Sequence, residues 1–338
     1  MKKILILIMI LTISLLSAVF MEINKTDGST ESIDLAQIVS MNFIIGSGNY
    51  NEPMMLPVPA GSFEMGQVGV AEPVHSVTLT NDFFMGKFEI TNQEYCDILN
   101  YALEEELLTG DYVNNNDVMN ANGDPQVLIV LNYVYGCDIS YSNDSFIPDE
   151  GTENRPAICI TWYGATFYCN MLSRQNEIAQ LYNLNDWTCN IYPGATPGYR
   201  LPTEAEWEYV ASYNDERTYT WGNEPPAPGL AQYYYDGNPN AGHAVDVGTL
   251  PLGNSELGFC NMAGNAWEWC NDFAGNYSSE PQINPTGSSY HLRKITRSGS
   301  WLDNPIYTPE ALKAARRMDC DESQGEFQQG FRIVRIGE

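Results

Sequence analysis

Eight cysteines are the residues of this chain best suited to chemistry: Cys96, Cys137, Cys159, Cys169, Cys189, Cys260, Cys270 and Cys320. Thiolates attack electrophiles, hold soft metal ions and pair as disulfides. No two of them stand as Cys-x-x-Cys, so neither a redox motif nor a zinc knuckle is spelled out. Their fate depends on compartment. Lys2 and Lys3 precede an apolar run from Ile4 to Leu16 that ends in Ser17-Ala18, the plan of a secretory signal over residues 1–18. The run is short for a permanent membrane span, and no cysteine follows it to carry a bacterial lipid anchor. The mature chain is therefore expected to be exported, periplasmic or extracellular, with no membrane attachment after cleavage. All eight thiols then meet oxidising surroundings, where disulfides persist. Sequence does not choose among the many pairings, and buried free thiols are the alternative.

Other catalytic constellations are missing. His75, His243 and His291 are the only histidines, and none has a second ligand at metal-binding spacing, so all three read as hydrogen-bonded or surface residues. There is no Gly-x-Ser-x-Gly, phosphate loop or His-Glu-x-x-His. The chain has 43 Asp and Glu against 16 Lys and Arg, for a formal net charge of −27, and loss of Lys2 and Lys3 makes it more acidic. Such a charge excludes bulk attraction to nucleic acid or anionic lipid and suits divalent cations.

The elements that must position any site are few. The 338 residues include 28 Gly and 19 Pro, and only 17% are charged, which describes a loop-rich globular chain. Residues 19–44 read as a small strand, turn, strand and helix module; 45–53 is a linker; 54–338 is the main domain. Within it, Ser76–Thr80 and Phe83–Ile90 read as strands joined by Asn81-Asp82. Thr91-Asn92-Gln93-Glu94 and Thr203-Glu204-Ala205-Glu206 are capping boxes that open helices reaching about Leu103 and Ala211. Ala165–Leu172 has helical spacing. Short strands are expected at Asn265–Cys270, His291–Arg297 and Gly330–Ile336. The fold class is α+β with much irregular structure, and its long loops need a ligand, metal or disulfides to hold them.

Several strings follow in fixed order: Val58-Pro59-Ala60-Gly61-Ser62-Phe63-Glu64-Met65-Gly66, Glu72-Pro73-Val74-His75, Lys87-Phe88-Glu89-Ile90-Thr91-Asn92-Gln93-Glu94-Tyr95, Arg155-Pro156 with Thr161-Trp162, and Arg200-Leu201-Pro202-Thr203-Glu204-Ala205-Glu206-Trp207-Glu208-Tyr209. Asn261-Met262-Ala263-Gly264-Asn265-Ala266-Trp267-Glu268-Trp269, Gly299-Ser300-Trp301, Ala314-Ala315-Arg316 and Gly330-Phe331-Arg332 complete the set. Together they resemble the formylglycine-generating enzyme, or sulfatase-modifying factor, family over Val58–Arg335. The resemblance implies a C-type-lectin-like variant fold and an oxidase that turns a client sulfatase's cysteine into formylglycine with copper(I) held by two thiolates. It places those cysteines at Asp303 and Thr308, and a frequent histidine at Asn304. Neither Asp303 nor Thr308 can hold copper(I). Cys320, beyond Ala314-Ala315-Arg316, reads as structural.

The resemblance also implies a calcium site from Asn261, Gly264, Ala266 and Glu268, against which stands a Glu268 that pairs with Arg316 or Arg332. A second family calcium site is not carried over, because of Gln232 and the shortened Tyr233–Gly248 stretch. Trp207, Trp221, Trp267, Trp269 and Trp301 read as core, with a binding groove as the alternative. Arg332 is expected to be buried against a carboxylate of Trp267–Trp269 or Glu204–Glu208. Two functions compete: a non-oxidising module that binds a protein, peptide or glycan, and a formylglycine-generating oxidase with rearranged ligands.

Overall fold

The computed structural model describes residues 20–24, 30–34, 52–133, 136–189, 197–215, 217–235, 237–238, 242–290 and 293–336. The expected signal, most of the linker, His291 and all but the first two residues of the short helix expected over Ile33–Met41 lie outside them; Ile33 and Asp34 instead end a strand. The chain divides into two units, Met1–Asn49 and Tyr50–Glu338. In the first, β1 (Phe20–Asn24) and β2 (Thr30–Asp34) pair antiparallel as the turn signal between them requires.

The second unit begins with β3 (Met55–Val58), β4 (Gly61–Gln67), β5 (Ala71–Leu79) and β6 (Phe83–Gly86). Helix α1 (Asn92–Glu104) is followed by β7 (Leu108–Gly110), β8 (Asp117–Asn120), β9 (Val127–Val130), β10 (Ile139–Ser142) and β11 (Ser145–Pro148). Then come α2 (Trp162–Gln175), β12 (Tyr199–Arg200), α3 (Glu204–Ser212), β13 (Trp267–Phe273), β14 (Gln282–Ile283), β15 (Lys294–Arg297), β16 (Met318–Cys320), β17 (Gln329–Gly330) and β18 (Val334–Ile336). Two four-stranded sheets organise the unit, ordered β12-β18-β6-β3 and β16-β15-β13-β17, beside two three-stranded sheets and the β10-β11 hairpin. Asn81-Asp82 therefore carries the chain between sheets: β5 pairs with β4 and β14, whereas β6 pairs with β3 and β18. Strand β6 stops at Gly86 because the following residues bond to the last segment of the chain, Ile90 N donating to Phe331 O at 2.9 Å.

Local chemistry explains the helices. Thr91 caps α1 by accepting from Glu94 N, while Glu94 Oε2 accepts from Thr91 N at 2.8 Å. Tyr95, Ile98, Leu99 and Ala102 then fall on one buried face, and Tyr95 packs against Tyr168 and Phe331. Thr161 caps α2 by accepting from Gly164 N at 3.0 Å. Every residue of α3 is buried, including three glutamates, and each of these has an arginine. Glu206 takes both terminal nitrogens of Arg200 at 2.7 Å, Glu208 pairs with Arg297, and Glu204 accepts from Arg317 Nε at 2.8 Å.

Thr91→Ala should cost about 1 kcal/mol through loss of the cap, and Thr91→Ser should recover most of it. Urea unfolding of the two variants measures the difference.

Candidate functional site

The carboxyl-terminal strands bring the motif residues together. Strands β13 and β17 run parallel with Glu268 opposite Gly330, which places Arg332 beside β13. Arg332 Nε and one terminal nitrogen each donate to Glu268 at 2.6 Å. The remaining guanidinium hydrogens go to the carbonyls of Gly86 (3.0 Å), Lys87 (3.2 Å) and Cys260 (3.0 Å). Trp207 Nε1 adds a 2.7 Å bond to Glu268 Oε2. Both charged side chains are fully buried, so the expected partner of Arg332 is Glu268 and the arginine is structural. Beside them, Asn265 Nδ2 donates to Glu89 Oε1 at 2.9 Å. Burial pushes the Glu89 carboxyl up to about 8, although Arg332 pulls the other way.

This arrangement decides the fit of the expected calcium set. Glu268 has both oxygens on Arg332. Asn261 Oδ1 accepts from Gly248 N at 2.9 Å, and the Gly264 carbonyl accepts from Ala266 N and Ser298 Oγ, each at 3.0 Å. Asn261, Gly264 and Glu268 thus spend these oxygens on bonds within the fold, and as arranged they do not fit calcium with Ala266. Gln232 is likewise engaged: its side chain donates to His243 O at 2.9 Å, and a Cβ on Gly264 would fall 2.3 Å from its carbonyl. Gly264, at φ +76°, is therefore required both by conformation and by space.

The segment after Gly299-Ser300-Trp301 carries Asp303, Asn304 and Thr308, the positions to which the resemblance assigns catalytic groups. Asp303 Oδ2 accepts from Ser300 N at 2.8 Å and Ser300 Oγ at 2.7 Å, and the Trp267 indole also donates to it. Burial raises the Asp303 carboxyl, and these donors oppose the rise. Asn304 organises the turn that follows: its carbonyl accepts from Tyr307 N at 3.0 Å and Thr308 N at 2.9 Å, and its Oδ1 from Ile306 N at 2.9 Å. No sulfur stands at 303 or 308, so the residues do not fit copper(I). Cys320 is on β16 with its sulfur 3.8 Å from Thr296 Oγ1, and burial raises its thiol, the reverse of an activated nucleophile.

Around this turn the surface is apolar. Leu302, Ile306 and Tyr307 are 42%, 75% and 83% exposed, and the backbone of half-exposed Tyr234 bonds to Asp303 O at 2.9 Å. Trp301 is buried against Phe327, and its indole N–H has no acceptor among the described residues. Trp207, Trp267 and Trp269 are core, and Trp221 is half-buried and stacked on Tyr219. His75 is buried, with Nδ1 3.0 Å from Pro73 O, and exposed His243 contacts Ala244 O. The apolar exposure of Leu302, Ile306 and Tyr307 was missed in the sequence; an Ile-Tyr pair in a Pro- and Asn-rich loop is its one signal.

The model of the sulfatase-modifying factor enzyme 1-like domain matches residues 45–336. The chain belongs to that family. Chaperone protein LppX of Paenibacillus barcinonensis is 27% identical to this sulfatase-modifying factor chain, over 89% of it and 96% of LppX. The formylglycine-generating enzyme of Bos taurus is 28% identical over 83% of this chain and 74% of the enzyme. Among solved structures, Treponema denticola variable protein 1 is similar with a TM-score of 0.61, at 19% identity, over 84% of this chain and 95% of that one. PvdO from Pseudomonas aeruginosa gives 0.57, also at 19% identity, over 84% and 95%. These likenesses fix the fold as the family's C-type-lectin-like α+β variant. Among the described residues no helix is long and apolar enough to cross a membrane.

Two measurements test the buried charges. Arg332→Ala leaves Glu268 buried without a counter-charge and should cost about 3–5 kcal/mol, whereas half-buried Arg316→Ala should cost about 0–1 kcal/mol. Denaturant midpoints of the two variants compare these costs. Asp272 accepts from Glu204 N at 3.0 Å and lines a cavity of about 290 Å³ with His75, Tyr277 and Arg317. Burial, reinforced by the Glu204 charge, pushes its carboxyl up to about 8 from the usual 3.8. The folded chain then keeps a proton that the unfolded chain releases, so this group's contribution to stability falls as pH rises between those values and levels off above about 8. Asp272→Asn should lose less stability than wild type between about pH 5 and pH 8, read from urea midpoints.

Proposed function

We propose that this chain is an exported, non-oxidising member of the sulfatase-modifying factor family that binds an extended protein or peptide segment on the Ser300–Thr308 face. One observation carries the reading: where the family resemblance puts two thiols, Asp303 is locked by Ser300 and Trp267, and Leu302, Ile306 and Tyr307 stand exposed around it. A carboxylate held by three donors has no lone route to copper(I) or to disulfide exchange. Exposed aliphatic and aromatic side chains clustered in one turn suit the side chains of a bound segment. A glycan would ask for more polar groups in their place. The chain's charge of −27 favours basic over acidic segments. The relative named a chaperone protein supports the same reading. Relatives named formylglycine-generating enzymes favour the rival, an oxidase with rearranged ligands.

The purified chain should leave a Cys-x-Pro-x-Arg peptide unchanged under oxygen and copper. Mass spectrometry that finds cysteine sulfur replaced by an aldehyde at enzyme-like turnover would establish the oxidase instead. On an array of extended peptides rich in apolar and basic residues, wild type should be retained. Ile306→Ser with Tyr307→Ser should weaken retention about tenfold or more, as for anchors at the centre of an interface. Retention on immobilised glycans alone, or equal retention of the double variant, would overturn the assignment.

A further inference from the structure

Two of the eight thiols lie against each other at a place unrelated to positions 303 and 308. Cys137 follows the turn after β9, and Cys159 sits just ahead of α2. The Cys137 side chain is near enough to Cys159 to be the largest influence on its thiol, ahead of burial. The sulfur of Cys159 is also 3.3 Å from the carbonyl of Gly136, the residue next to Cys137. Both side chains are buried. Cys159 is held with φ at +61°, a conformation a non-glycine residue keeps only when its surroundings enforce it. We infer that Cys137 and Cys159 form a disulfide in the exported chain.

The chemistry is ordinary thiol–disulfide exchange with an oxidant of the disulfide class, such as glutathione disulfide or an oxidoreductase. One cysteine thiolate attacks an oxidant sulfur, its S–S bond breaks and a mixed disulfide forms. The second thiolate displaces the oxidant's remaining sulfur. One S–S bond is gained in the chain and the oxidant's S–S bond is lost; the oxidant takes the two electrons, and its two leaving thiolates take up the two protons given up by the cysteines, ending as two thiols. The neighbouring Cys137 and burial hold the Cys159 thiol protonated once folded. Exchange therefore belongs to the folding chain, before the pair is enclosed.

The bond would tie the turn before β10 to the support of the Ser300–Thr308 face. Cys159 N donates to Glu326 O at 3.1 Å, and Gly325 lies so close that a Cβ there would fall 2.3 Å from Cys159 O. The next residue, Phe327, packs on Trp301 with ring centroids 5.8 Å apart. Cys96 on α1 also interacts electrostatically with Cys137 and is the rival partner.

The inference shares only the expectation of export with the proposed function, and its test imposes the redox conditions directly. The full chain is secreted by an expression host into an oxidising periplasm, denatured with iodoacetamide present, and mapped by mass spectrometry without reduction. The expected result is a Cys137–Cys159 linked peptide two hydrogens lighter than its parts. In Cys137→Ser, Cys159 should become fully alkylated. Alkylation of both thiols in the wild-type chain, or linkage of Cys137 to Cys96 or any other cysteine, would overturn the pairing whatever the chain binds.

Discussion

A buried carboxylate and a buried guanidinium, Glu268 and Arg332, hold the second half of this fold to the first. Either charge alone would be costly to enclose, and their mutual attraction repays that cost only if every remaining hydrogen finds an acceptor. Here all five N–H groups of Arg332 do. The acceptors come from β13, from the end of β6 through Gly86 and Lys87, and from the Cys260 loop. Trp207 on α3 completes the carboxylate's shell. The end of β6, α3, the Cys260–Glu268 segment and the Arg332 segment are thereby joined by hydrogen bonds of 2.6–3.2 Å. Apolar contacts alone would not set them so finely, since they are non-directional.

The same device recurs on α3, where Glu204, Glu206 and Glu208 face Arg317, Arg200 and Arg297. This explains an oddity of composition. The chain carries few basic residues for its acids, yet several arginines are sunk in the interior. The surplus of negative charge is a surface property; the interior is close to balanced. A fold with short strands and long connections has few repeating hydrogen-bond ladders to define it, and buried ion pairs with defined geometry take over that task.

How much of this could be read in the sequence depended on the range of the interactions. The capping boxes at Thr91 and Thr203 are local, and α1 and α3 begin where those residues place them. Arg332 could be placed because an arginine in an apolar strand demands a carboxylate, and the motif order offered two segments that held one. The region from 105 to 150 yielded nothing. Its strands β7 to β11 are three or four residues long, and their register depends on distant side chains: Asn100 on α1 brackets Phe146 of β11, with Phe146 N donating to Asn100 Oδ1 at 2.7 Å and Asn100 Nδ2 donating to Phe146 O at 2.9 Å. No period-two pattern of useful length exists there to detect. The calcium expectation meets a related limit. Sequence gives the identity of Asn261, Gly264, Ala266 and Glu268 but not which oxygens their neighbours have already claimed.

Asp303 shows how a buried carboxylate can be held in a loop by the frame around it. A buried carboxylate in a loop would ordinarily destabilise its surroundings. At this position two donors come from Ser300, three residues earlier, and a third from Trp267 at the start of β13, the strand that Glu268 anchors. Each is already fixed by the fold: Trp301 N, next to Ser300, donates to Asn265 O at 3.0 Å, and Trp267 N donates to Gln328 O at 2.8 Å. The donors are therefore present whatever residue occupies position 303, and a side chain with two acceptor oxygens satisfies them at little reorganisation. What differs is the outward side of the turn, where Ile306 and Tyr307 have no packing duty. The frame fixes the inner groups through Glu268 and Arg332 and leaves the outer ones free to vary, so the stability of this short loop rests on its inner residues and not on Ile306 or Tyr307.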